Sequence, residues 1–232
     1  MSSLRVYIVD TLDKSFTDNR EALASSLSAY RRNKLSRFSM TEADKDARHM
    51  KATNYDLCLA AGLVTDIGLN SYGLREKDMK YGVTAHGKPV FLNHPDIKFN
   101  ISHSGHYAVA AFSEEFDPGI DIERCSRISN RIIYSFFSTG ERELILSQPT
   151  EAAQSLMFGR IWTVREAFMK STGLGFAAGR EGYEAVLKDG RLAINQTLCD
   201  GEFGTYEMNP VGEYCISVVA GRNMNSAVQA LQ

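Results

Sequence analysis

Glu114-Glu115-Phe116-Asp117-Pro118-Gly119-Ile120-Asp121-Ile122-Glu123 lies at the middle of a chain of 232 residues and decides how that chain divides. Its first six residues mix charge, proline and glycine, the composition of a turn. The last four alternate isoleucine with acid, the pattern of a strand. Side chains alternate faces along a strand, so Asp121 and Glu123 point one way and Ile120 and Ile122 the other. Two neighbouring carboxylates repel unless a cation lies between them. A third carboxylate, Glu166, comes from Ile161-Trp162-Thr163-Val164-Arg165-Glu166-Ala167-Phe168-Met169-Lys170, which reads as a helix. At about 100° per residue, Met157, Ile161, Val164 and Phe168 form one apolar stripe. Glu166 and Lys170 fall nearly opposite, with Trp162 one turn before Glu166. Taken alone, Glu166 and Lys170 are also an ordinary exposed helix pair; Trp162 on the same side argues against a fully solvated face. Asp121, Glu123 and Glu166 together would make an all-oxygen site suited to Mg²⁺, which keeps open positions for water and substrate phosphates.

Leu4 to Val9 reads as a strand. Residues 19–37 and 41–63 read as helices, with Thr41 and Asp44 at a helix start and Gly62 at a stop. Glycines 68, 73, 82 and 87 with Pro89 mark a loop-rich stretch, followed by strands near 99–101 and 107–112. After Glu123, helical patterns cover 128–136, 139–147 and 152–172, the last ended by Gly173 and Gly175. Strands follow at 183–188 and 191–195 around the hairpin signal Asp189-Gly190, and again near 205–208 and 213–220. The polar tail after Gly221 is expected to fray. Each half thus reads as helices followed by antiparallel strands. The expected fold class is α+β: two similar halves, 1–117 and 118–232, in a pseudo-twofold arrangement. Each is expected to pack helices on a small antiparallel sheet, with a ligand cleft between the halves. The similarity is one of element order, without a repeat of fixed period.

Lys and Arg number 26 against 28 Asp and Glu, a net charge of −2. That balance argues against a nucleic-acid partner. Cys58, Cys125, Cys199 and Cys215 are scattered without a C-x-x-C pair, which is neither a disulfide framework nor a zinc signature and fits a reducing compartment. The N-terminal apolar run is too short for a signal peptide, and no stretch is long enough to span a bilayer. The expectation is a soluble, cytoplasmic protein with no membrane partner.

Two further clusters suit phosphate. Phe99-Asn100-Ile101-Ser102-His103-Ser104-Gly105-His106 reads as a turn offering short donors, with Gly105 allowing close backbone approach. Gly87-Lys88-Pro89 holds a lysine on a stiff turn. Read separately, His103 is equally a turn histidine bonded to backbone, and Lys88 a loop lysine in water. Arg31, Arg32, Lys34 and Arg37, then Arg48 and Lys51, form a basic run. Such a run is ordinarily the wet side of a helix; its alternative is to grip a multiply charged phosphate ligand.

Taken in order, Gly87-Lys88-Pro89, Phe99 to Gly105, Gly119 to Glu123, Phe136-Phe137-Ser138 and Trp162-x-x-x-Glu166-Ala167-x-x-Lys170 resemble the Sfp-type 4′-phosphopantetheinyl transferases over roughly residues 5–220. The resemblance implies two α+β halves with coenzyme A between them. It also implies Mg²⁺-dependent transfer of the phosphopantetheine arm to a serine of an acyl, polyketide or peptidyl carrier protein, releasing adenosine 3′,5′-bisphosphate. By that resemblance Asp121, Glu123 and Glu166 hold the Mg²⁺ on the pyrophosphate, and Lys170 contacts the pyrophosphate. Ser102 and His103 contact coenzyme A phosphates, Lys88 lies near the adenylate end, and Arg31, Lys34 and Arg48 grip the 3′-phosphate. Phe136 and Phe137 lie where similar enzymes meet the carrier; the alternative for both is core packing. Arg165 stands where most relatives have lysine, and the stretch between Phe38 and Arg48 aligns only with a gap, which bears on Arg48 and on its neighbour His49 as a further contact.

The implied reaction needs an acceptor for the serine proton: Glu166, directly or through a metal-bound water, with a hydroxide on Mg²⁺ as the rival, while Lys170 and His103 would stabilise charge on the pyrophosphate. Rival readings are a Mg²⁺-dependent phosphohydrolase acting on a nucleotide, a non-catalytic carrier-binding module and a structural domain with a surface carboxylate cluster. A monomer is expected by analogy.

Overall fold

The computed structural model describes residues 4–38, 52–125, 130–174, 182–211, 213–221 and 228–230. In chain order its elements are β1 (Arg5–Asp10), α1 (Lys14–Thr17), α2 (Arg20–Ser25), α3 (Ala29–Leu35), α4 (Asn54–Asn70), a 3₁₀ turn (Glu76–Asp78), β2 (Tyr81–Thr84), β3 (Pro89–Phe91), β4 (Lys98–Ser104), β5 (Tyr107–Ser113), β6 (Asp117–Arg124), α5 (Asn130–Phe136), α6 (Thr139–Leu146), α7 (Glu151–Thr172), β7 (Tyr183–Lys188), β8 (Arg191–Gln196), β9 (Phe203–Val211), β10 (Tyr214–Gly221) and β11 (Val228–Ala230). The class is α+β, with small antiparallel sheets and helices. The chain forms two compact units, Met1–Glu114 with Ala227–Gln232, and Glu115–Ser226.

In the first unit β5 lies between β1 and β4, paired Ile8 to Val109 and Ile101 to Ala110. Helix α4 starts from a capping box in which Thr53 and Asp56 satisfy each other's backbone N–H, a common device for the orphan donors of a first turn. The core joins Leu59, Val64 and Leu69 of α4 to Phe91, Phe99 and Phe112, whose rings stack in sequence. Gly62 does not stop this helix but lies inside it, because a Cβ there would meet Leu27 Cδ1 at 2.5 Å. The helix expected over 19–37 is broken into α2 and α3. Ser28 caps α3 by accepting from Arg31 N, and donates its own N–H and hydroxyl to Glu76 at 2.7 and 2.8 Å. The stretch expected to be loop-rich contains β2 and β3, and β11 pairs with β2, Val228 opposite Thr84. The expected helix start at Thr41 and Asp44 lies outside the described residues.

In the second unit β10 lies between β6 and β9, and β7 and β8 form a separate hairpin. Strand β6 begins at Asp117, so Pro118 and Gly119 belong to the ladder rather than to the preceding turn. Helix α7 is the unit's spine. Ile161, Val164 and Phe168 are fully buried, each contributing roughly 1.5–3 kcal/mol, against Tyr183, Ala185, Leu192 and Val219. The helix ends at Gly173, a left-handed residue with φ of 71°, where glycine avoids the Cβ clash. Cys125 and Cys215, remote in sequence, bring their sulfurs to 2.7 Å as free thiols.

At Gly119 the backbone of α7 comes directly against the sheet. A Cβ there would stand 1.9 Å from the carbonyl oxygen of Ala167 and 2.3 Å from the backbone nitrogen of Ser171. Backbone cannot yield as a side chain does, so Gly119→Ala should cost at least about 3 kcal/mol. The expected result is a melting temperature lower by about 6–12 °C in a thermal scan; a shift under 2 °C would show that strand and helix can separate freely.

Candidate active site at the β6–α7 contact

Strand β6 presents Gly119, Asp121 and Glu123 on one face, in register with Val219, Ser217 and Cys215 of β10. Ile120 and Ile122 occupy the other face with Ile216 and Val218, all at most 2% exposed. Gly119 and Ser217 both touch α7, so the acidic face of β6 is the face on which the helix lies. Bonds then tie the helix to the sheet. Thr163 and Ser217 share a buried hydroxyl–hydroxyl bond of 2.7 Å, Ser171 Oγ donates to Asp117 O at 2.6 Å, and Lys170 Nζ donates to Ile120 O at 3.2 Å.

The same ammonium donates to Asp121 Oδ1 at 2.5 Å, in a pair where Asp121 is almost wholly buried. Glu166 stands one turn before Lys170, which brings it over the strand's acids. Burial pushes its carboxyl above the usual range, and the negative charge of Asp121 raises it further; Lys170 opposes, and Glu123 adds to the rise. Glu166 therefore feels the charge of both Asp121 and Glu123. Among the described residues, no group of three or more His, Cys, Asp and Glu side chains is gathered closely enough to hold a metal ion. The three carboxylates share a neighbourhood rather than a closed cage. Their chemistry nonetheless fits a hard divalent cation: all-oxygen donors, three carboxylates beside the Lys170 ammonium, and a glutamate whose charged form is destabilised.

Arg165 points elsewhere. Its Nη1 donates to both carboxylate oxygens of Glu141 and to Tyr183 O. Trp162 is also drawn away, packing on Phe158 with rings 5.8 Å apart and nearly parallel, and against Phe136 and Phe137. The two phenylalanines divide: Phe137 is core, whereas Phe136 is 43% exposed. A cavity of about 550 Å³ opens beside them, lined by Tyr134–Ser138, Gly182–Glu184 and Asn195–Thr197. It contains none of the clustered carboxylates and no lysine or arginine, so it lacks the charge to hold a diphosphate.

The residues expected to meet phosphate in the first unit are placed as follows. Arg31 is 6% exposed and faces inward, with Nε 3.6 Å from Glu76, Nη2 donating to Thr65 Oγ1, and its guanidinium 5.3 Å from the centre of the Tyr81 ring. Lys34, on the next turn of α3, is half-buried with its ammonium 4.7 Å over the Tyr30 ring. Lys88 lies in the β2–β3 turn, where its N–H donates to Thr84 Oγ1 and Gly87 takes a φ of +85°. Ser102 and His103 are not in a turn but on β4, Ser102 buried and His103 exposed, on opposite faces of the strand. The turn follows at Gly105, with φ of +60°. Arg48 and His49 lie outside the described residues.

The model of the 4′-phosphopantetheinyl transferase superfamily matches residues 117–219, from the start of β6 into β10. The 4′-phosphopantetheinyl transferase ffp of Bacillus subtilis is 31% identical over 223 residues, covering 94% of this chain and 91% of that protein. The 4′-phosphopantetheinyl transferase Sfp of Bacillus subtilis (strain 168) is 30% identical over 198 residues, 83% of this chain and 82% of that protein. The human L-aminoadipate-semialdehyde dehydrogenase-phosphopantetheinyl transferase is 37% identical over 125 residues, 49% of this chain and 40% of that protein. Identity carried across nearly the full length of such relatives, over a unit whose strand and helix hold the clustered acids, leads to one conclusion: this chain belongs to the 4′-phosphopantetheinyl transferase superfamily.

Proposed function

We propose that this protein transfers the 4′-phosphopantetheine arm of coenzyme A to a serine hydroxyl of an apo carrier protein, with adenosine 3′,5′-bisphosphate as the leaving group. The observation that carries the reading is the meeting of Asp121, Glu166 and Lys170 on the one strand–helix contact. Asp121, Glu123 and Glu166 would hold Mg²⁺, which when bound supplies charge neutralisation at the diphosphate. Lys170 places an ammonium beside those acids, where its charge favours a diphosphate. Glu166 is the acceptor for the serine proton: burial and like charge make its carboxylate more basic than an ordinary one. In the first unit, Lys34 is proposed for the 3′-phosphate, and Lys88, Ser102 and His103 for other phosphates of the ligand. Arg31 supports that surface from beneath, because its guanidinium is committed to Glu76 and Thr65. Phe136 supplies an exposed apolar contact for the carrier. No helix among the described residues is long and apolar enough to cross a membrane.

The direct test mixes protein, coenzyme A, Mg²⁺ and a panel of apo carrier proteins, with intact mass as the readout. An added phosphopantetheine arm on at least one carrier is expected. Glu166→Gln should lower that turnover by more than about 100-fold while coenzyme A affinity stays within about threefold. Release of free phosphopantetheine without any carrier would instead support hydrolysis.

Glu166 also makes a stability prediction. Its proton is held more tightly in the fold than in the unfolded chain, so ion-free stability falls as pH rises from the ordinary glutamate value through the raised one, and is flat above it. Glu166→Gln should therefore raise the ion-free melting temperature at pH 8. The gain should disappear below about pH 4, where both states are protonated. A variant that melts below the parent at pH 8 would show the carboxylate to be satisfied in the fold.

Lys34→Ala should weaken coenzyme A about tenfold more than dephospho-coenzyme A, with melting unchanged. Arg31→Ala should instead lower stability by on the order of 3–5 kcal/mol, because it strands the buried Glu76. Equal losses of both ligands in Lys34→Ala would remove that lysine from the 3′-phosphate.

A further inference from the structure

Two cysteines far apart in sequence meet on the α7 side of the second unit's sheet. The ladder between β6 and β10 runs one residue past β6, because Cys125 N donates to Glu213 O at 2.7 Å. Cys125 follows Glu123 by two residues and so shares its face. Cys215 lies opposite Glu123 in the strand register. Both thiols therefore stand on the face that α7 covers, and their sulfurs are 2.7 Å apart. Helix α7 makes room for them at Gly159, where a Cβ would stand 2.7 Å from Cys125 Sγ and 3.1 Å from Cys215 Sγ. Glycine is a poor helix former, and this one lies well inside a helix of 22 residues. Its missing side chain leaves the space that the two sulfurs fill.

The backbone on both sides of the contact is fastened. Arg124 pairs with Tyr214 across the ladder, and the Arg124 guanidinium meets Glu213 at 2.8 Å. Cys215 is buried, whereas Cys125 is half-buried. One thiol can thus be reached from solvent, and the other is sheltered behind it. A disulfide forms only where two sulfurs can come together without displacing the chain; these two already touch. Cys58 and Cys199 are placed differently, Cys58 against the core of the first unit and Cys199 beside Gln196.

We propose that Cys125 and Cys215 are a redox-modification site, a dithiol that a low-molecular-weight disulfide converts reversibly to an internal disulfide. Cys125 gives up its proton and attacks one sulfur of the small disulfide. A mixed disulfide forms, and the first small thiol leaves with a proton. Cys215 then gives up its proton and attacks the Cys125 sulfur, breaking the mixed bond and releasing the second small thiol. The protein pair loses two electrons and two protons, and the small disulfide gains them as two thiols. The new bond joins residues 90 apart in sequence and closes a loop that contains α7 and Glu166. A cross-link over so long a loop restricts the unfolded chain strongly. Oxidation therefore fastens the unit that carries the carboxylates. The inference stands apart from the transferase reading and is tested without turnover.

The test uses the full chain, first reduced and then held with excess glutathione disulfide. Three quantities are read: intact mass, a peptide map without reductant, and melting temperature. The expected product is lighter than the reduced chain by two hydrogen atoms. Its map joins the peptide carrying Cys125 to the peptide carrying Cys215. It melts higher by more than about 5 °C, and dithiothreitol reverses each change. Cys58→Ser combined with Cys199→Ser should leave all three results as they are. Cys125→Ser should abolish both the mass loss and the rise in melting. Should Cys125→Ser fail to fold, the parent's peptide map decides alone. A parent that keeps its four free thiols, or that gains only glutathione adducts, would overturn the proposal and leave the pair as packing beneath Gly159. A bond between any other two cysteines would overturn it too, as would a bridged chain that melts no higher than the reduced one.

Discussion

At Gly119 strand β6 and helix α7 touch backbone to backbone, with no space for even a methyl group between the strand and Ala167 O. That contact sets how far Glu166 and Lys170 stand from Asp121. With a larger residue at 119 the helix would have to retreat from the sheet. The Lys170 bonds to Ile120 O and Asp121, and the Ser171 bond to Asp117 O, would all lengthen together. The acidic neighbourhood is therefore a product of packing: three carboxylates are held against their mutual repulsion because a helix backbone lies directly on a strand.

The price of that arrangement is visible in Glu166, whose charged form is disfavoured by burial before any neighbouring charge is considered. A group held at such cost to the folded state is a familiar property of reactive sites. The fold offsets the cost locally. Lys170 neutralises Asp121, and the buried stripe of Ile161, Val164 and Phe168 anchors the other side of the helix.

The second unit was largely legible in the sequence. Its helices and strands recur within one to three residues of the expected limits, because the periods are strong and the turn signals, such as Asp189-Gly190, are local. The α+β class and the family follow from the same segment. Elsewhere, local signals were overruled by tertiary contact. Gly62 looked like a helix stop, yet its missing side chain admits Leu27 of the α2–α3 connection. Pro118 and Gly119 looked like a turn but continue a strand, since Gly119 answers a contact with a helix some 50 residues later. Arg31 looked like a surface cation; only the fold reveals Glu76, remote in sequence, waiting beneath it. The sulfur contact between Cys125 and Cys215 had no signal in spacing, since it joins the residue just past β6 to strand β10. Arg165 was noted as a charge, but its partner Glu141 sits on another helix, and no periodicity links the two.

Strand β11 carries a consequence for how the molecule comes to be. Val228 pairs with Thr84, roughly 140 residues earlier in the chain, and pairings so distant in sequence close slowly because the intervening loop must be ordered first. As the polypeptide emerges from the ribosome, β2 is exposed long before its outer neighbour exists. The unit holding the carboxylates is made entirely within that interval. Biogenesis thus runs in a nested order along the chain, residues 115–226 being made before β11 can join β2.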